Sequence, residues 1–538
     1  MTTAMSPFAA SIYRAKYAHQ GEEWVDTAHR VVETVMAAAG YGKDTPEVER
    51  LVKYVADRKF LPGGRYLAAT GRPYHQTQNC LLLRAEDSRE GWADLLWKSA
   101  MSLQTGAGIG IDYSDIRAKG SIIKRTGGVA SGPVELMKMV NEVGRGIVQG
   151  GNRRSAIWAG LKWSHPDVLE FIGMKNWEPH LAEAKAKNFS AYAPMDMTNI
   201  SVLLDDAFFE AYAKGDEHAV KVYKTVIRQM FTTGEPGFSV NLGDKVRDTL
   251  RNACCEVTSE DDSDICNLGS INLARVETLE EMKDLVDLGS LFLIAGTKYS
   301  DVPYEDVGTI RSKNRRLGLG LMGLHEWLAV RGLKYAPSEA LAEWLEVYAT
   351  SGNRANEHAD RLGLSRPVAT RAIAPTGTIA IIAETTTGIE PIFCVAYKRR
   401  YLAQGTTWNY QYVIDPTAKK LVEKGVDPDK IEDAYSLALD IERRLAFQAW
   451  VQSYVDMSIS STINMPAWGT AANDEATLDL YADLLLKYLP ELRGITVYPD
   501  GARGGQPLVP CTYAEAAGKE GVVFEESEER CVGGACGT

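Results

Sequence analysis

The chain has 538 residues, 45% of them apolar and 24% charged, with a formal charge of −12. That length and apolar content build a large core, whereas an acidic balance without any Lys/Arg-rich block excludes a protein that grips many nucleic-acid phosphates. No apolar run approaches a membrane span and the first residues lack the basic-then-apolar order of a secretory signal, so a cytoplasmic protein is expected.

The length accommodates two to four domain-sized units or one large α/β barrel with helical flanks, and the single barrel is preferred. Residues 1–75 read as a helical region: "DTAHRVVETVMAAAG" and "PEVERLVKYVADRKF" repeat apolar residues at three- and four-residue steps and close on a nearby Gly or Pro. From Cys80 to about Val240, short strand-like runs ("NCLLLRA", "GIGIDYS", "NISVLL") alternate with helical segments ("GWADLLWKSAMSLQ", "PVELMKMVNEVG"), the order of parallel strands joined by crossover helices. The alternation resumes from Asn267 to Tyr498, and residues 76–510 are taken as one unit. After Pro510 the chain turns rich in Gly and Glu, so residues 511–538 are expected to form a mobile tail.

Eight cysteines, at 80, 254, 255, 266, 394, 511, 531 and 536, are too few for a disulfide scaffold, and any disulfide is expected to be transient. No pair has CxxC spacing, no Cys/His cluster has structural-zinc spacing, and no metal site is expected. In "RNACCEVTSE", Asn252, Cys254 and Glu256 stand at i, i+2 and i+4, so in an extended backbone their side chains converge while Ala253 and Cys255 face elsewhere. The plain alternative is a strand with buried cysteines acting as small hydrophobes. Two flanking polar groups, each costing roughly 1–3 kcal/mol if buried unpaired, favour a site instead. A strained vicinal disulfide at Cys254–Cys255 is a further alternative.

"GLGLMG" (Gly318 to Gly323) satisfies G-x-G-x-x-G but follows "RSKNRR" rather than an apolar strand, so the dinucleotide fingerprint lacks its context. A nucleotide-dependent dehydrogenase and a noncatalytic nucleotide-binding scaffold are the rival readings, and neither needs internal redox thiols. "APTGTIA" supplies small residues, backbone N–H groups and two hydroxyls at what reads as a helix start. It suits an anion, or else is an ordinary threonine-capped helix.

N-x-C-x-E, with "ICNLGSINL" after it and "NCLLL" before it, resembles the catalytic chain of ribonucleotide reductase. "QTGAGIGIDYSDIRAKGS", "GGNRRSA", "APTGTIAIIAETTTGIEP" and "TVYPDGARG" extend the resemblance over residues 55–538 in the family order. It implies a ten-stranded α/β barrel of two parallel five-stranded halves, with a catalytic finger loop threaded through the centre. There burial would keep a thiyl radical from solvent.

By the same resemblance Cys254 becomes the thiyl radical that removes the ribose 3′ hydrogen, Glu256 is the general base at the 3′-hydroxyl, and Asn252 orients the sugar. Cys80 and Cys266 are the reducing pair, and Cys255 has no role beyond packing. Cys531 and Cys536 match the C-terminal dithiol shuttle that resets the pair and is itself reduced by thioredoxin or glutaredoxin. A zinc knuckle with Cys511 is the alternative for these two. The 20 residues from Cys511 to Cys531 reach roughly 60–70 Å if extended.

Pro375, Thr376, Gly377 and Thr378 resemble the substrate-phosphate turn. Asp87, Arg117 and Lys124 match a dimer-interface site for a nucleotide effector (dNTP or ATP), with Arg153 and Arg154 on the loop that links it to the substrate. An exposed charged face is the plain alternative. A homodimer is implied, and an additional N-terminal ATP-binding domain is expected to be absent. The ending "CVGGACGT" resembles chains that take their radical from a separate ferritin-like dimetal subunit, which is the preferred source. "TVYPDGARGGQPL" and "APTGTIA" resemble the adenosylcobalamin-dependent branch, which is the alternative. Tyr498 stands where a radical-transfer tyrosine is expected, but Pro499 replaces the second tyrosine of the usual stacked pair, for which Tyr410 or Tyr412 is a candidate substitute.

Overall fold

The computed structural model describes residues 4–124, 127–149, 153–187, 191–402, 408–502 and 508–525. Five strands form the first half of a barrel: β1 (Cys80–Arg84), β2 (Gly108–Asp112), β3 (Ile157–Lys162), β4 (Thr198–Asp205) and β5 (Gly237–Asn241). Each pairs in parallel with the next. The alternation of residue types explains the layering. Leu81, Leu83, Ile109 and Ile111 point outward into a core shared with the crossover helices Arg89–Gln104, Pro133–Gly146 and Glu217–Thr233. Cys80 and Leu82 point inward.

The second half comprises β6 (Asp264–Asn272), β7 (Leu317–Met322), a short bridging segment around 371–373, β8 (Thr462–Met465) and β9 (Gly494–Pro499). These also run parallel to one another: β6 with β7, Leu319 with Arg371, Ile373 with Ile459 just before β8, and β8 with β9. The halves meet at two antiparallel seams, β1 with β6 and β5 with β9. Ten strands therefore close into the expected barrel.

The N-terminal region holds helices Trp24–Ala37 and Pro46–Ala56, which match the two periodic runs, and in addition Pro7–Lys16 and Gly64–Ala69. It also holds a short strand, Phe60–Pro62, which adds antiparallel to β6. Val31, Val35, Leu51 and Val55 join the apolar helix Leu279–Tyr299 in the core that backs the second half. Gly318 to Met322 of "GLGLMG" lie in β7, buried throughout, so Gly318 and Gly320 belong to a barrel wall, and only Gly323 stands in the turn to the helix Leu324–Val330.

Residues 508–525 depart from the expectation of a mobile tail beginning at 511. Leu508–Cys511 and Val523–Glu525 pair antiparallel with the two strands of a hairpin, Ala396–Leu402 and Trp408–Ile414, to make a separate four-stranded sheet. Between them Ala516, on the short helix Tyr513–Ala516, is buried against Ala396 and Ile414. The physical reason is that an open hairpin presents unpaired backbone groups on both edges, which the segments Leu508–Cys511 and Val523–Glu525 satisfy. Cys531 and Cys536 lie outside the described residues. Among those described, no helix is long and apolar enough to cross a membrane.

The inner face of β2 carries only glycine where the finger loop crosses it. A Cβ on Gly110 would lie 1.8 Å from the Arg251 carbonyl oxygen, and one on Gly108 would lie 3.1 Å from the Ala253 side chain. Gly110→Ala is therefore expected to destabilise the protein by at least about 1–3 kcal/mol through forced overpacking. Gly42→Ala, where a Cβ meets nothing within 4 Å, is expected to stay within about 0.5 kcal/mol of wild type. Urea-unfolding midpoints of the two variants check this.

Candidate active site

The finger is a narrow hairpin, Leu250–Arg251 paired antiparallel with Thr258–Ser259. Arg251 anchors its base. The buried guanidinium donates to the Asn241 side-chain oxygen at 2.7 Å and to the carbonyls of Val240 at 3.3 Å and Arg493 at 3.2 Å. Burial, with Arg493 nearby, pulls its pKa down to about 9, which leaves it charged at neutral pH.

At the tip the chain does not run extended. The Cys255 N–H donates to the Asn252 carbonyl at 3.0 Å, and Cys255 takes a left-handed φ of 68°. The Val257 N–H donates to the Asn252 side-chain oxygen at 3.0 Å, and the Ser458 N–H donates to the Glu256 carbonyl at 2.9 Å. A turn, rather than strand alternation, thus brings Asn252 and Glu256 to one side. Ala253 is buried against β2, and Cys255 is half-buried with a thiol pushed up to about 12 by burial, which makes it unreactive at neutral pH.

Three of the expected thiols meet here. Cys80 and Cys266 are directly opposed across the β1–β6 seam. Opposed antiparallel residues stand roughly 4.5–5.5 Å apart at Cα, inside the range a disulfide spans. The Cys80 Sγ faces Glu256 Oε1 at 3.9 Å, and Asn252 and Cys254 bear on the same sulfur. Both opposed thiols are buried, and burial pushes both well up, with the Glu256 charge adding to the effect. They are therefore protonated at neutral pH. Among the described cysteines there is no disulfide, so the vicinal Cys254–Cys255 bond is not formed.

Glu256 is 1% exposed, and its Oε2 has no hydrogen-bond partner among the described residues. Burial pushes its pKa up to about 7, opposed by bonding from the backbone, Asn252 and Cys80. Cys254 departs from the expectation of burial: it is exposed at the finger's tip. The turn at Cys255 carries Asn252 and Glu256 into the wall but leaves Cys254 on the open side of the barrel.

The segment "APTG" adjoins this cluster. Ala374 belongs to the same interior group as Cys80 and Cys266, and Pro375 follows it. Thr376 takes a left-handed φ of 51° and its Oγ1 accepts from the Gly388 N–H at 2.9 Å, fixing the turn into the helix Gly377–Ala383. Gly377 is exposed and Thr378 half-exposed, beside the helix's first-turn N–H groups.

Asp87 and Arg117 are joined as an ion pair at 2.8 Å beyond the far end of β1. Lys124 is exposed on the small hairpin of Ile122–Ile123 and Gly128–Val129. Arg153–Arg154 pairs with Val148–Gln149 in another hairpin, and residues 150–152 lie outside the described residues. Tyr498 is half-buried on β9 opposite Asn464. Tyr410 and Tyr412 are on the separate four-stranded sheet.

The sequence reading did not single out Arg251, Asp264, Arg316 or Ser458. The available signal was charge in otherwise apolar, glycine-rich runs, "DICNLG" and "RRLGLG".

A family model described as "Ribonucleotide reductase, barrel domain" matches residues 78–225, 218–350 and 349–498. The chain is 28% identical to the vitamin B12-dependent ribonucleoside-diphosphate reductase of Mycobacterium tuberculosis, over 96% of this chain and 79% of that protein. It is 24% identical to the ribonucleoside-diphosphate reductase large subunit of Caenorhabditis elegans, over 73% of this chain and 61% of that protein. Among solved structures, the Actinobacillus ureae class Id ribonucleotide reductase alpha subunit superposes with a TM-score of 0.71 at 17% identity, covering 92% of this chain and 97% of that one.

Because the folded protein holds the Glu256 proton up to about pH 7 while an unfolded chain releases it near its ordinary 4.5, stability falls as pH rises between those values. Glu256→Gln removes that slope. The variant is expected to be more stable than wild type above pH 7 and to lose this advantage toward pH 4.5, read as the difference in Tm across a pH series.

Proposed function

Because this chain belongs to the ribonucleotide reductase large-subunit family, oxidoreductases acting on ribonucleotides, we propose that its finger loop and seam cysteines carry out thiyl-radical reduction of a ribonucleotide to the 2′-deoxyribonucleotide. The observation that carries this reading is the pairing of Cys80 with Cys266 beneath the buried, half-unpartnered carboxylate of Glu256. Neither a dehydrogenase nor a nucleotide scaffold requires such an arrangement.

In this reading the ribose sits over the finger's tip and covers the exposed Cys254. The Cys254 radical takes the 3′ hydrogen, and Glu256 Oε2 takes the 3′-hydroxyl proton. A pKa near 7 suits that task, since a base works best when its pKa lies close to the operating pH. The Asn252 side-chain oxygen is held by the Val257 N–H, so its amide N–H side faces Glu256 and Cys80, where the sugar would sit. Cys80 protonates the departing 2′-hydroxyl. Cys80 and Cys266 then give up two electrons and two protons in all, so that C2′–OH becomes C2′–H plus water and the thiols become a disulfide. The raised thiol pKa values keep both groups protonated at neutral pH, so the proton and hydrogen that the step consumes are in place before it begins.

The substrate phosphates rest on Pro375–Thr378, where first-turn N–H groups and small residues admit an anion without a lysine. A nucleotide effector is read at Asp87, Arg117 and Lys124 in a homodimer, with Arg153 and Arg154 relaying its identity to the substrate. Cys531 and Cys536 return the pair to dithiol and are themselves reset by thioredoxin or glutaredoxin.

The radical equivalent comes from a separate dimetal subunit, matching the cysteine-bearing ending, with Tyr498 as the transfer residue by its place in "TVYPDGARG". A second reading, adenosylcobalamin as the source, is supported by Pro499 after Tyr498 and by the similarity to the vitamin B12-dependent reductase of M. tuberculosis. Either source supplies only the oxidising equivalent that reaches Cys254.

Cys254→Ser is expected to lower deoxynucleotide formation by at least about 10³-fold with the fold intact, since no other group there forms the needed radical. Cys80→Ser and Cys266→Ser are expected to abolish turnover that depends on dithiothreitol or thioredoxin. Turnover by the purified chain with adenosylcobalamin and a dithiol alone, measured as deoxynucleotide product, decides for the second reading. No product until a dimetal subunit is added decides for the first.

A further inference from the structure

The two seam cysteines are not equivalent in their surroundings. Cys80 faces a carboxylate, Glu256, and the finger residues Asn252 and Cys254. Cys266, on β6, lies beside the start of β7, which Arg316 immediately precedes. Asn267 pairs in parallel with Leu317, so one residue earlier the register sets Arg316 beside Cys266. A Cβ on Gly318 would stand 3.3 Å from the Cys266 sulfur, which shows how closely that strand approaches.

Arg316 is 5% exposed and held rigidly. Its Nε donates to Asp264 Oδ2 at 2.8 Å and its Nη2 to Ser259 Oγ at 3.2 Å. Asp264 is further saturated by Ser259 Oγ at 2.7 Å, Asn314 Nδ2 at 3.0 Å and the Ile265 N–H at 2.8 Å. The remaining guanidinium arm, Nη1, has among the described residues the Met457 sulfur at 3.8 Å as its acceptor, a weak one. Met457 packs in the same interior group as Cys80 and Cys266, so donor capacity is stored on the cysteine side. The charged groups bearing on Cys266 are Arg316, Asp264, Glu256 and Asp456, and Arg316 is the cation among them.

We propose that Arg316 is a positioning residue that makes Cys266 the leaving sulfur when the Cys80–Cys266 disulfide is re-reduced, so that the incoming dithiol attaches to Cys80. The inference rests on the reading of these two cysteines as the redox pair. In the first step an attacking thiolate forms a bond to the Cys80 sulfur, the Cys80–Cys266 bond breaks, and its electron pair goes to Cys266 as a thiolate beside Arg316. In the second, the other thiol of the same dithiol, deprotonated, displaces Cys80, which takes up a proton. The dithiol has then lost two electrons and become a disulfide. The sulfur that better supports negative charge leaves faster, and only Cys266 has a cation at hand.

The test uses the full chain oxidised with diamide, which forms the seam disulfide. It is then exposed to limiting 2-mercaptoethanol with iodoacetamide present, and the adducts are mapped by mass spectrometry. The expected result is mercaptoethanol on Cys80 and carbamidomethyl on Cys266, with a preference of about tenfold. Arg316→Gln is expected to erase that preference and Arg316→Lys to restore most of it, an effect of charge that a packing defect would not mimic. Mercaptoethanol on Cys266, an even distribution in wild type, or a preference unchanged in Arg316→Gln overturns the inference while leaving the redox pair intact. Failure of diamide to join Cys80 to Cys266 overturns the pair itself, and the inference with it. The wild-type mapping needs no variant, so a poorly folding Arg316→Gln does not remove the test.

Discussion

A strand without inner side chains is what the rest of the molecule depends on. The finger's backbone lies against β2 at a separation that Gly110 permits and that leaves little room at Gly108, and Arg251 locks the finger's base to β5. Close packing of this kind leaves few arrangements open, because interiors tolerate neither overlap nor voids at that scale. With the base immobilised, the turn at Cys255 decides which side chains enter the wall and which remains outside. The positions of Asn252, Cys254 and Glu256 follow from that contact.

The second constraint is electrostatic. The barrel interior strips water from two thiols and a carboxylate, and desolvation moves all three toward their neutral forms. Such a site keeps its two thiols protonated at neutral pH. It also demands an explicit charged partner wherever a sulfur must leave as a thiolate. The buried Arg316–Asp264 pair, tied to Ser259 at the base of the finger, places such a cation on one side of the seam only.

Much of this architecture is legible along the chain. "NCLLLRA" and "GIGIDYS" reveal β1 and β2 by alternation, and the wall face of each strand can be read from Cys80 and Gly110 once the outward Leu and Ile residues are recognised. Asn252, Cys254 and Glu256 are visible as residue types at i, i+2 and i+4, whereas Cys80 and Cys266 enter the set only through the resemblance of the blocks around them. The convergence of Asn252 with Glu256 was expected from an extended backbone but arises from a turn, because the Asn252 side chain bonds the Val257 N–H and reverses the chain. Residues 511–525 looked too polar and glycine-rich for order. They are ordered by pairing with a hairpin more than 100 residues earlier in the chain, which no local pattern reveals.

By itself the sequence determined the strand and helix periodicities, the N-terminal helices and the inventory of thiols, since these depend on neighbours a few residues apart. Only the tertiary structure decided that Cys80 faces Cys266, that Cys254 stays open while Glu256 is enclosed, and that Arg316 lies beside one sulfur of the pair. Register across an antiparallel seam and the loss of water around a side chain are set by segments distant in the chain. Neither exists until the barrel has closed.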